Sequence, residues 1–179
     1  ELDKLVFTAV SPWVKERSGQ APIVNKYRCE VVKNGLDTDV FKYQPNSQVI
    51  EEKFGKLIGP VVLHPSASFW PDSPTHVKGG WYVVELAKRM PNVNFIVASL
   101  RNTIEMELPS NIYLWGATKN QQELAALYST ADLTLLTSRK ETFSMVCAES
   151  LCCGTPVIGF KATSRLEERF SRNAETDLV

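Results

Sequence analysis

The sequence predicts an α/β fold in which a Rossmann-like parallel sheet carries helices on both faces. Short apolar runs have the length and composition of buried strands, at 61–64, 93–98, 112–115 and 132–137. Patterns of helical period lie between these runs, and 132–159 reads as strand, loop, helix, glycine and strand. The sequence contains no Gly-x-Gly-x-x-Gly, which argues against a dinucleotide oxidoreductase.

Length and composition limit the remaining classes of protein. At 179 residues and 44% hydrophobic content, the chain can form one full domain core, or one domain and part of another. Twenty basic and twenty acidic side chains cancel without a long like-charge block, so nothing indicates nucleic-acid binding. Two histidines and four cysteines lack the spacing of a metal site. We therefore expect no metal, and reduced thiols fit a cytosolic setting.

The first 60 residues contain two strand-like runs, at 5–10 and 29–33, with a short helix between them. Ser11 is the expected N-cap of that helix, and Pro12 occupies its first position. Asn34-Gly35 is a turn signal, and residues 41–48 have the composition of a linker. Gly59-Pro60 precedes the strand at 61–64.

The middle of the chain alternates strands and helices. Three prolines predict a loop over 65–77, after which Lys78-Gly79-Gly80 leads into a helix that ends at Pro91-Asn92. The strand at 112–115 ends at Gly116. Thr118 and Gln121 have the spacing of a capping box and predict the start of the next helix.

Two glutamates eight positions apart, Glu141 and Glu149, dominate the last third of the chain. Ser138 and Glu141 have capping-box spacing, and Gly154 and Pro156 predict the helix end. On a continuous helix, residues eight apart are separated by roughly 12 Å. The acid–base pair of a glycosidase is closer, at about 5 to 9.5 Å. The two carboxylates therefore suit two separate parts of one long, polyhydroxylated ligand.

The backbone amides of Phe143, Ser144 and Met145 lie between the glutamates at a predicted helix start, where anions bind. Hydroxyls at both ends and negative charge between them describe a nucleotide-diphosphate sugar. The alternative is structural: Glu141 would only cap the helix, and Glu149 would be a solvated helix position.

Residues 132–159 resemble the signature of the retaining family 4 glycosyltransferases of GT-B fold. The shared elements are Glu, seven residues, Glu, a small-residue helix end and Gly-x-Pro-Val, present here as Glu141, Glu149, Gly154, Pro156 and Val157. Ser144 departs from the pattern, since many members have Gly there. The segment from Asn34 to Phe41 is similar to the family's passage between its two domains. The resemblance implies that residues 1–36 are the tail of an N-terminal domain and the linker. Residues 37–179 would be the C-terminal nucleotide-sugar-binding domain, truncated at its C-terminal end.

The resemblance also implies an activity and roles for individual residues. A sugar would pass from a nucleotide diphosphate to an acceptor hydroxyl with retention, without metal or cofactor. Glu149 would hold the ribose, and Glu141 would contact the donor sugar near the reaction centre as the catalytic residue. The phosphates would be held by Lys78 and by the amides of Phe143, Ser144 and Met145.

Two further positions follow from the resemblance. The nucleobase would lie near the loop at Gly116, where Trp115 is either a stacking platform or, as is more usual for a strand Trp, a core residue. An Arg that the family places in the loop before Lys78 has no counterpart, because no Arg occurs between His64 and Lys78.

The expected biological setting is polysaccharide or glycolipid biosynthesis. The whole protein would be cytoplasmic, with peripheral association at the inner membrane face, and its N-terminal domain would supply the site for a sugar or lipid-linked acceptor. This chain alone would bind a nucleotide and transfer no sugar. The alternatives are a non-catalytic nucleotide-sugar-binding module and a sugar-nucleotide epimerase of GT-B fold. A phosphorylase is disfavoured, since no context for a pyridoxal lysine is present.

Overall fold

The computed structural model describes residues 4–102 and 104–160. The chain divides into two compact units. Of the described residues, the first unit contains 4–35 and 140–144, and the second contains 36–102, 104–139 and 145–160. The assignment of residues 1–36 to a preceding domain stays a prediction. None of the described helices has the length and apolar character needed to cross a membrane.

The first unit contains a parallel pair of strands joined by a helix. β1 (Val6–Ala9) pairs with β2 (Arg28–Val31), and α1 (Pro12–Gly19) lies between them in sequence. The Ser11 hydroxyl accepts a hydrogen bond from the Val14 amide at 3.3 Å. The predicted N-cap and first-turn proline are thus confirmed.

The second unit is a five-stranded parallel sheet with four helices. Its strands are β3 (Val61–Phe69), β4 (Asn94–Asn102), β5 (Ile112–Gly116), β6 (Leu133–Leu136) and β7 (Val157–Gly159). Their order in the sheet is β5-β4-β3-β6-β7. The helices are α2 (Val49–Phe54), α3 (Gly80–Arg89), α4 (Gln121–Thr130) and α5 (Met145–Cys152). The predicted fold class is confirmed.

Alternation along the strands separates two hydrophobic cores. Leu63 and Ile96 belong to one core, which includes Tyr128 of α4 and Cys153 just after α5. Their neighbours Val62 and Phe95 belong to the other, which includes Val83, Val84 and Ala87 of α3. Successive side chains of a strand point to opposite faces. Each face of the sheet is therefore covered by helices. Because both faces are buried, the strand sequences are continuous apolar runs.

The predicted boundary between the strand at 61–64 and the loop at 65–77 was wrong. β3 does not end at His64 but continues through Pro65 to Phe69, paired with β4 along its length. β6 pairs with β3 only at Val62 and Leu63. Beyond Leu63, β3 is paired on one side only, by β4, and its other side is an edge, where proline is tolerated. In addition, α2 lies in a stretch for which no element was predicted.

Both predicted capping boxes were also wrong. α4 is capped by Asn120, whose Oδ1 accepts from the Glu123 amide at 2.8 Å, and not by Thr118. α5 begins at Met145, so Ser138 is not its N-cap and Glu141 precedes the helix. In each case the capping residue must lie where the backbone turns into the helix, and sequence spacing alone located that point incorrectly.

Candidate functional site

Lys78 lies on a tight turn that only glycines permit. Gly79 follows it with φ +68° and forms the N-cap of α3. A Cβ on Gly79 would lie 2.2 Å from the Thr137 carbonyl oxygen, and one on Gly80 would lie 2.9 Å from the Trp70 nitrogen. The Lys-Gly-Gly sequence is therefore required both by backbone conformation and by close packing.

The turn is bonded to the segment that leaves β6. The Thr137 hydroxyl donates to the Lys78 carbonyl at 3.0 Å, and the Arg139 amide donates to the Val77 carbonyl at 2.8 Å. β3 and β6 are neighbours in the sheet, so these contacts lie at the carboxyl ends of adjacent parallel strands. Ligands of open α/β sheets bind at that edge. Sequence analysis missed Thr137, whose role depends on strand order.

His64 is buried beside this edge and cannot serve as a cation there. Its Nδ1–H donates to the Leu135 carbonyl at 3.0 Å, and among the described residues its Nε2 has no hydrogen-bond partner. Burial lowers the pKa of His64 to about 4, opposed by the Leu135 hydrogen bond and assisted by the charge of Lys78. At neutral pH the imidazole is uncharged, so it does not replace the missing Arg of the loop.

Glu149 is partly buried on α5 and is bonded to a buried tyrosine. The Tyr128 hydroxyl on α4 donates to Glu149 Oε2 at 2.9 Å, and Tyr128 is 0% exposed. Burial raises the pKa of Glu149, while the Tyr128 hydrogen bond lowers it. The pKa of Tyr128 is raised, mainly by burial and also by the adjacent Glu149 carboxylate. The phenol therefore remains a hydrogen-bond donor at neutral pH. No role at this site was predicted for Tyr128, which lies 21 positions before Glu149 in the sequence.

Further hydrogen bonds hold α5 against β6 and α4. The Ser150 hydroxyl, completely buried, donates to Thr134 Oγ1 or to the Thr155 carbonyl, both at 2.8 Å. Thr155 Oγ1 in turn donates to the Tyr128 carbonyl at 2.5 Å. The C-terminal half of α5 is therefore fixed through Ser150, and the segment after the helix is fixed through Thr155.

Cys147 in α5 and Cys153 just after it are buried packing residues. Burial raises the pKa values of Cys147 and Cys153 to about 11, which keeps both thiols protonated at neutral pH. Neither has the thiolate character of a nucleophile or metal ligand. Within the described ranges, no group of three or more His, Cys, Asp and Glu side chains could hold a metal ion.

Trp115 and Gly116 end β5 with different roles. Trp115 is 9% exposed and packs edge-on against Phe54 of α2, with ring centroids 5.9 Å apart. The Lys53 ammonium lies 4.3 Å from the Trp115 ring centroid and donates to the Trp115 carbonyl. These contacts are those of a core residue. Gly116 has φ +89° and no atom near its Cβ position, so the backbone conformation and not the space requires glycine.

The seven predicted site residues fall into both units of the chain. Lys78, Gly116, Met145 and Glu149 belong to the second unit, at or beyond the carboxyl ends of β3, β5 and β6. Glu141, Phe143 and Ser144 lie in segment 140–144, which belongs to the first unit. Of the three predicted amides, only that of Met145 lies inside α5. The roles assigned to all seven residues stay predictions.

Comparison with known proteins agrees with this architecture. A family model described as glycosyl transferases group 1 matches residues 76–175, more than half of the chain. No curated protein matches the sequence significantly.

Among solved structures, a sucrose-phosphate synthase from Thermosynechococcus elongatus is similar with 18% identity and a TM-score of 0.70 over 88% of this chain and 41% of that one. HepE from Anabaena, in complex with UDP and glucose, is similar with 23% identity and a TM-score of 0.65 over 90% and 46%. WaaG, a glycosyltransferase involved in lipopolysaccharide biosynthesis, has 20% identity and a TM-score of 0.66 over 85% and 43%. The chain thus spans less than half the length of each of these structures.

Proposed function

Because the chain belongs to the glycosyl transferases group 1 family, we propose that it supplies the donor-binding half of a retaining hexosyltransferase of family 4 type. The donor is a nucleotide-diphosphate sugar, and the acceptor is a hydroxyl of a sugar or a lipid-linked sugar. The reaction needs no metal or cofactor, since protein amides and a lysine stabilise the leaving diphosphate.

One observation carries this proposal. The Lys78 turn and the segment leading from β6 are bonded together at the carboxyl edge of adjacent parallel strands, within the residues that match the family model. The turn presents an ammonium group, and α5 begins after the same strand with an N-terminus that favours anions. A diphosphate is the part of the donor that this edge suits best.

The remaining groups follow from this placement. Glu149, one turn into α5, accepts hydrogen bonds from the ribose hydroxyls, and Glu141 contacts the donor sugar near the reaction centre. The amides of Phe143, Ser144 and Met145 bind phosphate together with Lys78. The backbone at Gly116 adjoins the base, about two strand spacings, or roughly 10 Å, from β3.

The wider setting is also proposed. We place the acceptor site outside these 179 residues, so the chain alone binds nucleotide without transferring sugar. The whole protein acts in the cytoplasm in polysaccharide or glycolipid biosynthesis, at the inner face of a membrane. By analogy of fold, the UDP and glucose bound to HepE support a nucleotide-sugar donor, and the involvement of WaaG in lipopolysaccharide biosynthesis supports the proposed pathway.

The test is an amide NMR titration of the chain with UDP, GDP and ADP in turn. We expect one nucleotide to shift signals at Lys78, Gly116 and residues 141–149. Lys78→Ala and Glu149→Ala should each weaken binding about tenfold or more, as expected for loss of a hydrogen bond to a charged group. Matched controls are Lys88→Ala and Glu51→Ala, which change exposed charges on α3 and α2.

The outcomes separate the proposal from its alternatives. No shift with any of the three nucleotides overturns the donor-site assignment. Sugar transfer by the isolated chain contradicts the placement of the acceptor site. Nucleotide binding without transfer in the full-length protein identifies a non-catalytic binding module, and epimerised sugar nucleotide as product identifies an epimerase.

A further inference from the structure

We infer that Tyr128 is a positioning residue for the donor, because its hydroxyl orients the Glu149 carboxylate so that a vicinal diol can bind to it. The inference rests on the proposed function, in which Glu149 meets the ribose. It adds Tyr128, a residue of a different helix, α4. In this role Tyr128 contacts neither the nucleotide nor the sugar and acts only through Glu149.

The geometry is that of a directed, charge-assisted hydrogen bond. The Tyr128 hydroxyl lies 2.9 Å from Glu149 Oε2, and among the described residues it is the hydrogen-bond partner of this side chain. A carboxylate has about four lone-pair sites on its two oxygens. One is occupied by the phenol, which leaves Oε1 and part of Oε2 for the two hydroxyls of a ribose.

Tyr128 cannot move away from this contact. Its side chain is fully buried, and the Phe41 ring packs against it with centroids 6.4 Å apart. Its carbonyl accepts from Thr155 Oγ1 at 2.5 Å, which ties α4 to the segment between α5 and β7. The hydroxyl is thus presented from a fixed point, and the carboxylate rotates to meet it.

A purely structural role would not require a tyrosine. The ring fills the core that Phe41 and Cys153 line, and phenylalanine would fill it equally well. The phenolic oxygen instead carries a burial penalty that a hydrogen bond must offset, and the partner is the ligand-facing carboxylate of the motif.

The electrostatic surroundings make this bond important for the charge of Glu149. Burial raises the pKa of its carboxyl group, and the Tyr128 hydrogen bond is the opposing influence. Within the part of the chain that the structure describes, the other titratable groups that act on Tyr128 are Cys147 in α5 and Cys153 just after it, both protonated at neutral pH. The Tyr128 hydrogen bond therefore favours the ionised form of Glu149, in addition to orienting the carboxylate.

The experiment compares Tyr128→Phe with Tyr113→Phe, which removes the hydroxyl of a partly buried tyrosine on β5 that packs on Phe54. For each variant, the pKa of Glu149 in the free chain is measured by carboxyl ¹³C NMR. The dissociation constant for the nucleotide that binds is then measured from about pH 8 to about pH 5. Glu149→Gln and the double variant Tyr128→Phe/Glu149→Gln complete a cycle.

We expect Tyr128→Phe to raise the pKa of Glu149 and to weaken nucleotide binding about fivefold to tenfold, with the loss beginning at a higher pH than in the unmodified chain. Tyr113→Phe should leave both quantities unchanged. In the Glu149→Gln background, Tyr128→Phe should have no more than a small effect, because the carboxylate on which it acts is gone.

Two results overturn the inference. If Tyr128→Phe and Glu149→Gln weaken binding additively and at every pH alike, Tyr128 acts only through packing. If Tyr128→Phe leaves binding unchanged while Glu149→Gln weakens it, the donor site stands and the positioning role fails. Failure of the proposed function gives a different result. Either no nucleotide binds the unmodified chain, or a nucleotide binds and Glu149→Gln does not weaken its binding. The second result would exclude contact between Glu149 and the ribose.

Discussion

Replacing Gly79 by alanine should destabilise the second unit more than the same replacement at Gly55, another glycine of positive φ. Gly79 has φ +68°, which costs an alanine about 1 kcal/mol. Its Cβ would also lie 2.2 Å from the Thr137 carbonyl oxygen, about 1 Å closer than van der Waals contact permits. Relief requires moving the end of β6, which strains the packing by about 1–3 kcal/mol and weakens the Thr137 hydrogen bond to Lys78. The expected loss is about 2–4 kcal/mol in the free energy of unfolding.

Gly55 supplies the matched control. It has φ +76°, similar to Gly79, but no atom lies within 4 Å of its Cβ position. Gly55→Ala should therefore cost only the conformational term, about 1 kcal/mol. Urea unfolding followed by tryptophan fluorescence measures both variants, since Trp70, Trp81 and Trp115 lie in the second unit. Equal losses for the two variants would refute the close packing of the Lys78 turn against β6.

Two further predictions concern buried and capping groups. The pKa of His64 is about 4 in the folded chain, against an ordinary value of 6.5. As the pH is lowered from 6.5 to about 4, the imidazole is therefore protonated in the unfolded chain but not in the folded one. The free energy of unfolding should decrease over this interval by up to about 3 kcal/mol. His64→Gln, which keeps a donor for the Leu135 carbonyl, should flatten that dependence in urea unfolding at a series of pH values, and an unchanged slope would contradict the assignment. At α4, Asn120→Ala should cost about 1 kcal/mol and Thr118→Ala almost nothing by the same assay, since only Asn120 accepts from the Glu123 amide; the reverse order would restore the capping box expected from the sequence.

Local chemistry in the sequence was sufficient for the class of fold and for several boundaries. Continuous apolar runs such as 93–98 predict strands that are buried on both faces, and β4 is such a strand. Ser11-Pro12 predicts the start of α1, and Lys78-Gly79-Gly80 predicts the start of α3. These signals act through the conformational preferences of neighbouring residues, and at Gly79 and Gly80 close packing adds a second requirement that the sequence does not show.

Only the tertiary structure decided where α4 and α5 begin and what Glu149 contacts. Capping-box spacing occurs at Thr118 and Ser138 as well as at Asn120, and the helix starts where the chain can dock its apolar face on the sheet. β3 continues through Pro65 because β4 pairs with it, which no local propensity encodes. The bond from Tyr128 to Glu149 joins residues 21 positions apart on two helices of the same sheet face. Strand order and helix packing determine such contacts, because they are set by the burial of the whole core and not by any short stretch of sequence.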